Sequence, residues 1–283
     1  MVVGLKNQSL PKGLRVAVLG VGKIGGAIVR SLLACGAVVT GTGRRRETIE
    51  RISRLGAEAT VDNRLAARVS DVVILSVKPY QLPRLLDEVR GVMEEKIVIS
   101  VVAGVKLSTL NRALGGSYVY RSMPNINALI GRSTTAVAEY TGDKRASFVE
   151  SILSCMGSVY WIPEEWMDVW TALVGSMPAY VAVMIDSLTL GGVSAGLPRE
   201  VAFKAVVDTL SATAEHLGRR DIHPSVLRDE VTTPAGTTIE GLKVIEGEGV
   251  DAALIRTVEA AARRAAEIGE AIDREVRRSL NLG

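Results

Sequence analysis

The stretch from residue 14 to residue 36 limits this chain more than any other. "LRVAVLG" is a short apolar run rich in β-branched residues and reads as a buried strand. "GVGKIGGAIVRSLLACG" follows directly, with Ile24, Ile28 and Leu32 four residues apart, so that they share one face of a helix. Gly36 ends that helix. The alternation continues: "AVVTGTG" is a second strand, and "VSDVVILSVKP" and "KIVISVVAG" are two more, each after a helical stretch. Repetition of this kind implies an α/β unit with a parallel sheet and helices on both faces.

Within the first turn, Gly20, Gly22 and Gly25 match GxGxxG. The pattern alone is weak, and its place between a strand and a helix gives it meaning. The first glycine permits the tight turn, the second lets a pyrophosphate approach the backbone, and the third allows close helix packing. Lys23 and Ile24 head the helix, whose N-terminus offers unpaired N–H groups and a positive dipole end to phosphates. NAD proteins tend to place Asp or Glu at the end of the second strand, to hold the ribose 2′-OH. Here "TGTGRRRE" supplies Thr42, Arg44 and Arg45 instead, a hydroxyl and guanidinium set that suits a 2′-phosphate. NADPH is therefore the expected cofactor, with NADH as the alternative.

Strand C-termini are where open α/β sheets bind ligands. That rule adds Ser76, Val77, Lys78 and Pro79 at the end of one strand and Ala103 and Gly104 at the end of the next. Lys78 either faces a ligand or caps a turn. Asn125, in the turn-like "YRSMPNINALIG" after a further strand, lines the same cleft.

Strand signals stop after "WIPEEW". Pro163 suits the first turn of a helix, and the pattern predicts helices near 164–175, 178–191, 198–218, 223–230, 237–247 and 250–280. The chain thus divides into a Rossmann-like dinucleotide-binding domain, 1–162, and an all-α domain, 163–283. An all-α domain so rich in Ala, Val and Leu, in a chain with only 4% aromatics, is expected to bury itself against a second copy, giving a homo-oligomer. The most apolar stretch, "TALVGSMPAYVAVMIDSLTL", contains Pro178 and Asp186 and falls short of an uninterrupted bilayer span, so a buried core helix is expected.

A net charge of +3, with one tight cluster at Arg44–Arg46, argues against a nucleic-acid surface. Cys35 and Cys155 form no CxxC pair and give no support for a disulfide framework or a metal site. They read as two reduced core thiols in a cytoplasmic protein. No signal peptide is expected from the N-terminal run. His216 and His223, the only histidines, read as structural.

"DEVTTPAGTTIEGL" gathers four threonines between two helical patterns. Pro234 interrupts one helix and a new one starts near Thr237. The turn is either a carboxylate site, built from hydroxyls and free N–H groups, or an ordinary capping box with Thr237 as cap and Glu240 three residues on.

This segment resembles the signature of pyrroline-5-carboxylate reductases, whose run is typically Ser-Ser-Pro-Gly-Gly-Thr-Thr. Val231, Pro234, Gly236, Thr238, Gly241 and Leu242 keep the pattern, as do Pro224 and Leu227 upstream. "GVGKIGGAIV", "DVVILSVKP", "VVAGV", "RSMPN", "SMPAYV" and "GGVSAGLPRE" stand in family order, so the resemblance spans nearly the whole chain. It implies NAD(P)H-dependent reduction of a cyclic imine to proline, an interlocked dimer, and a site between the domains that is partly completed across the dimer. It also implies that Thr233 and the N–H groups of Gly236, Thr237 and Thr238 hold the substrate carboxylate, with Thr238 near the substrate nitrogen. Such chemistry needs no nucleophile and no metal, because an iminium is already electrophilic and the protein mainly orients donor and acceptor.

Three departures lie near the implied substrate: Met177 in "SMPAY" where the family has glycine, Ile126 and Asn127 in "MPNIN", and Thr232-Thr233 for Ser-Ser. Met177 adds bulk there and either repacks the pocket or changes which imine fits. Two other readings compete. A β-hydroxyacid-type dehydrogenase would want a helical lysine, and this half of the chain offers only Lys204 and Lys243. A non-catalytic dinucleotide-binding protein would have no need of Thr238.

Overall fold

The computed structural model describes residues 10–139 and 142–282. The apolar runs become strands β1 (Arg15–Leu19), β2 (Val38–Thr42), β3 (Glu58–Thr60), β4 (Val72–Leu75), β5 (Ile97–Ser100), β6 (Tyr118–Met123), β7 (Ser133–Ala138) and β8 (Gly157–Ile162). They form one sheet in the order β3-β2-β1-β4-β5-β6-β7-β8. Pairing from β3 through β6 is parallel. β7 runs antiparallel to β6, with Ser122 opposite Val137, and β8 is parallel to β7. The four strands read from the sequence, β1, β2, β4 and β5, are parallel as expected, and the antiparallel step lies at the far edge, which that reading did not cover. The segment between β6 and β7 is a short turn containing the 3₁₀ stretch Ile126–Ile130, too short for a crossover helix.

Side chains alternate across the sheet with period two. Val16, Val18, Val72, Ile74 and Ile99 point into one apolar layer, with α1 (Lys23–Ala34), α2 (Arg46–Arg54) and α6 (Ala146–Ser154). Ala17, Leu19, Val73, Leu75 and Val98 point into the other, with α3 (Asn63–Arg68), α4 (Leu82–Val89) and α5 (Leu107–Ala113). This is a doubly wound, Rossmann-like arrangement. The strand order reverses between β1 and β4, and the crevice outside the carboxyl ends of those two strands is where such sheets take ligands.

Helices follow: α7 (Met167–Trp170), a π-helical turn Thr171–Gly175, α8 (Met177–Ser194), α9 (Arg199–Arg220), α10 (Pro224–Glu230), α11 (Thr237–Gly247) and α12 (Val250–Ser279). Contacts divide the chain into two compact units, one holding Met177–Ala260 and the other holding the sheet up to Ser176 together with the stretch from Ala261. This differs from a division at residue 162, for two reasons. Met167 packs with Ala136, Ala138 and Ile162 beside the last two strands. Val276, near the end of α12, is buried in the second apolar layer of the sheet.

Two further expectations fail. Cys35 and Cys155 are not free thiols but are joined in a disulfide, with Cα atoms 6.2 Å apart. Each cysteine caps the C-terminal end of a helix, α1 and α6, and both helices cover the same sheet face. Their separation of 120 positions hides that closeness from the sequence. The apolar α8 is not a buried core helix either, since only Thr189 along it is buried within the chain. Its apolar residues are spread around the whole circumference, and α9 covers only part of that surface.

Candidate active site

The turn after β1 is built around Gly20, with φ of +91°, a left-handed conformation that disfavours any side chain. A Cβ on Gly20 would also overlap Val77 and lie 3.1 Å from the Ser76 carbonyl, and one on Gly25 would lie 2.7 Å from the Gly20 carbonyl. The ends of β1 and β4 therefore meet the start of α1 at backbone distance, which is how Gly20, Gly25, Ser76 and Val77 come together. Gly22 is different: a Cβ there would meet nothing within 4 Å. Gly22 is the N-cap of α1, and no side chain caps the helix. The N–H groups of Lys23 and Ile24 thus open onto free space at a positive helix end, a cradle whose shape and polarity fit a pyrophosphate.

The turn is also held from outside. Gly20 N–H donates to Thr42 Oγ1 at 3.0 Å and Val21 N–H to the Thr42 carbonyl at 2.8 Å. From α2, the Arg51 guanidinium donates to the Val21 carbonyl and, at 3.5 Å, to that of Gly22. Thr42 does not take the place expected for a 2′-phosphate ligand. It is 2% exposed, and its single hydroxyl hydrogen goes to Asn63 Oδ1 at 2.7 Å. Strand periodicity explains the difference, because the residue at the end of β2 turns its side chain toward the neighbouring loops. Arg44 and Arg45 lie beyond it, exposed, and make no ion pair among the described residues, whereas Arg46 is paired with Glu50 at 2.8 Å. Two guanidinium groups are therefore free beside the glycine turn for a phosphate.

Lys78 is exposed and precedes the 3₁₀ turn Pro79–Gln81, its N–H bonded to Gln81 Oε1 at 3.1 Å. Ala103 and Gly104 form the turn after β5, where Gly104 is stacked on Gly269 of α12. Asn125 is 6% exposed and committed to the fold. Its Oδ1 accepts from Asn127 N–H at 3.2 Å, and its Nδ2 donates at 3.4 Å to the Val174 carbonyl of the π-helical turn. Its side chain ties the β6–β7 turn to that segment.

The helical unit holds the threonine turn. α10 starts at a His223 cap and ends at Glu230, and α11 begins at Thr237 with Gly236 as N-cap. The capping-box alternative is absent. No side chain caps α11, and Glu240 pairs instead with Lys243 at 2.9 Å. Thr232 is used locally, its hydroxyl donating to the Arg228 carbonyl at 2.6 Å. The hydroxyls of Thr233, Thr237 and Thr238 have no hydrogen-bond partner among the described residues. Thr233 Oγ1 crowds Gly236 so closely that a Cβ there would clash with it. Ala235 holds φ at +55°, a left-handed backbone for which the family run has glycine. The result is an uncapped helix start ringed by three free hydroxyls, suited to an anion. Met177 opens α8, 40% exposed. Among the described residues no His, Cys, Asp and Glu group is placed to hold a metal.

Sequence reasoning did not single out Arg51, Asn63 or Glu88. Asn63 had one local signal, the helix start after Asp62, whose carboxylate caps α3 through Leu65 N–H at 2.9 Å. Arg51 and Glu88 had none, since each is one charged residue among many on an amphipathic helix.

Comparison with known proteins fits both halves. Residues 164–268 match the family model described as pyrroline-5-carboxylate reductase dimerisation, and residues 15–104 match the one described as NADP oxidoreductase, coenzyme F420-dependent. The chain is 39% identical over 230 residues to a pyrroline-5-carboxylate reductase of Synechocystis, covering 81% of this chain and 85% of that one. It is 36% identical to that of Thermus thermophilus, covering 91% and 99%. The solved structure of a pyrroline-5-carboxylate reductase from Coxiella burnetii superposes with a TM-score of 0.82 at 30% identity, over 89% of this chain and 97% of that one. With the glycine turn, the free arginines and the threonine turn all in place, these likenesses show that the chain belongs to the pyrroline-5-carboxylate reductase family.

Proposed function

We propose that the protein reduces 1-pyrroline-5-carboxylate to proline with NADPH. The observation that carries this reading is the uncapped N-terminus of α11 beside the free hydroxyls of Thr233, Thr237 and Thr238, an arrangement suited to a carboxylate next to a nitrogen. Bound NADPH would supply the hydride. The chain's own part is to hold and orient. Gly22, Lys23 and Ile24 take the pyrophosphate on backbone N–H groups. Arg44 and Arg45 take the 2′-phosphate. The N–H groups of Thr237 and Thr238, with the Thr233 hydroxyl, take the substrate carboxylate. The ring nitrogen already carries a proton taken from water, and the Thr238 hydroxyl hydrogen-bonds it, so that hydride addition to the adjacent carbon turns the iminium into the neutral amine. No side chain changes its bonding, so rate comes from orientation.

A second copy of the chain completes the protein in this reading. Val181, Val183, Leu188, Leu190 and Val193 of α8 are exposed within one chain, and the matched dimerisation model covers that helix. A stretch of 31 residues, Glu164–Ser194, is long and apolar enough to cross a bilayer. Asp186, Arg199 and their 3.3 Å ion pair on this surface favour a protein partner instead.

The test is NADPH oxidation followed at 340 nm with pyrroline-5-carboxylate, beside NADH and beside the six-membered ring homologue. Turnover fastest with the five-membered ring supports the reading and makes Met177 a packing variant. Preference for the larger ring, or cofactor binding without turnover, sinks it. Thr238→Val should lower kcat at least about tenfold, the order expected for one charge-assisted hydrogen bond, with the Kd for NADPH unchanged.

A further inference from the structure

Four polar groups from four elements line up behind the glycine turn. Gly20 N–H meets Thr42 Oγ1 at 3.0 Å, the Thr42 hydroxyl meets Asn63 Oδ1 at 2.7 Å, and Asn63 Nδ2 meets Glu88 Oε2 at 2.7 Å. Arg84 holds the other Glu88 oxygen at 2.9 Å. An ionised carboxylate only accepts hydrogen bonds. Facing Glu88, Asn63 must present its NH₂ group, so its oxygen is turned toward Thr42. Thr42 has one hydroxyl hydrogen, and that oxygen takes it. The Thr42 lone pairs are then left for Gly20 N–H. Glu88 thus dictates the direction of every hydrogen bond in the row, and aligned rows of this kind strengthen one another.

We propose that Glu88 and Asn63 are positioning residues for the dinucleotide, fixing through Thr42 the glycine turn that receives its pyrophosphate. This rests on the cofactor reading above. Neither residue needs to touch the cofactor: Glu88 lies in the last turn of α4, and its effect arrives at Gly20 through two intervening side chains. The state of Glu88 agrees. Burial alone would raise its carboxyl, but hydrogen bonds from Asn63 and Arg84 and the charges of Arg84 and Arg44 outweigh burial and hold it below its ordinary range. The charged acceptor that orders the row therefore persists through neutral pH. The influence of Arg44 on Glu88 also links the pyrophosphate turn to the arginine pair beside it.

The proposal separates from a direct 2′-phosphate role by the cofactor it affects. Dissociation constants for NADPH and NADH are measured by fluorescence on the full chain and on Thr42→Val, Thr42→Ser and Glu88→Gln, with melting temperatures on the same samples. Thr42→Val, which leaves Gly20 N–H without an acceptor, should raise both constants about tenfold and by the same factor. Thr42→Ser should restore both to within about twofold, and Glu88→Gln should raise both about threefold. Hydrogen exchange at Gly20 should quicken in Thr42→Val and in Glu88→Gln. A loss confined to NADPH would assign Thr42 to the 2′-phosphate and overturn the proposal, and so would unchanged constants. If Thr42→Val does not fold, Glu88→Gln, at a side chain 32% exposed, carries the test alone. A wild-type chain that binds neither nucleotide would remove the cofactor reading but not the row of hydrogen bonds, which the exchange measurement decides separately.

Discussion

At the scale of single residues, the arginines around the glycine turn divide by what their guanidinium groups touch. Arg44 and Arg45 carry free donors, while Arg51 donates to two carbonyls of the turn itself. In the proposed reading the first pair tells a 2′-phosphate from a 2′-hydroxyl, and Arg51, bound to backbone carbonyls, does not. Arg44→Ala with Arg45→Ala should therefore weaken NADPH by roughly tenfold or more while NADH changes little, as expected for lost charge-assisted bonds. Arg51→Ala should weaken both alike. Paired titrations with the two nucleotides check this, and unchanged selectivity in the double variant would remove the 2′-phosphate role. The sequence exposed the first half of this contrast, because three consecutive arginines after a strand are visible as a string. It hid the second half, because Arg51 differs from Arg54 only in what lies beneath it. Thr42 shows the same limit: its position at the strand end was legible, but its partner Asn63 lies 21 residues on, in another element.

At the scale of elements, an ion pair ties together the two strands whose far ends bracket the ligand crevice. Arg15 at the start of β1 grips Asp71 just before β4, through Nε at 3.3 Å, a terminal nitrogen at 2.7 Å and its own N–H at 3.1 Å. The side-chain hydrogen bond from Arg15 holds the Asp71 carboxyl below its ordinary value against a smaller opposing effect of burial. Glu88 is lowered as well: burial pushes it up, but hydrogen bonds from Asn63 and Arg84 together with the charges of Arg84 and Arg44 outweigh burial. A carboxyl with a depressed folded pKa contributes fully above its unfolded value, about 4, and that contribution is lost as pH falls through the folded value. Urea stability should therefore be level above about pH 5 and decline below about pH 4. Asp71→Asn should flatten part of the acid limb, and an unchanged limb would show that the pair has no linkage. The elements themselves were largely legible. Periodicity located the helices from 178 onward to within a few residues, and four parallel strands with them. β3, β7 and β8 were not, since β3 is three residues long and "STTAVA" lacks a continuous apolar run.

For the whole molecule, apolar surface is the quantity left open within one chain. Val183 is 67% exposed in the middle of a helix that is apolar on every side. The sequence raised two expectations for this stretch, a core helix within the chain and burial of the all-α half against a second copy, and the exposure of α8 removes the first. With a second copy as the cover, Val183→Glu places a charge in the interface and should shift the chain toward monomer by light scattering, with activity falling in parallel. A variant that stays associated and active would move the interface elsewhere.

The link between Cys35 and Cys155 makes the sheet-bearing part of the chain a closed ring with tails. Everything from the end of α1 to the end of α6 lies inside that ring, including the exposed arginine run at residues 44–46. A protease that cuts once after one of those arginines opens the ring without releasing a fragment. On a denaturing gel the nicked chain would still migrate as one species, and only a reducing agent would separate it into two. The exposed arginine run is thus a place where a single cut leaves the chain in one piece.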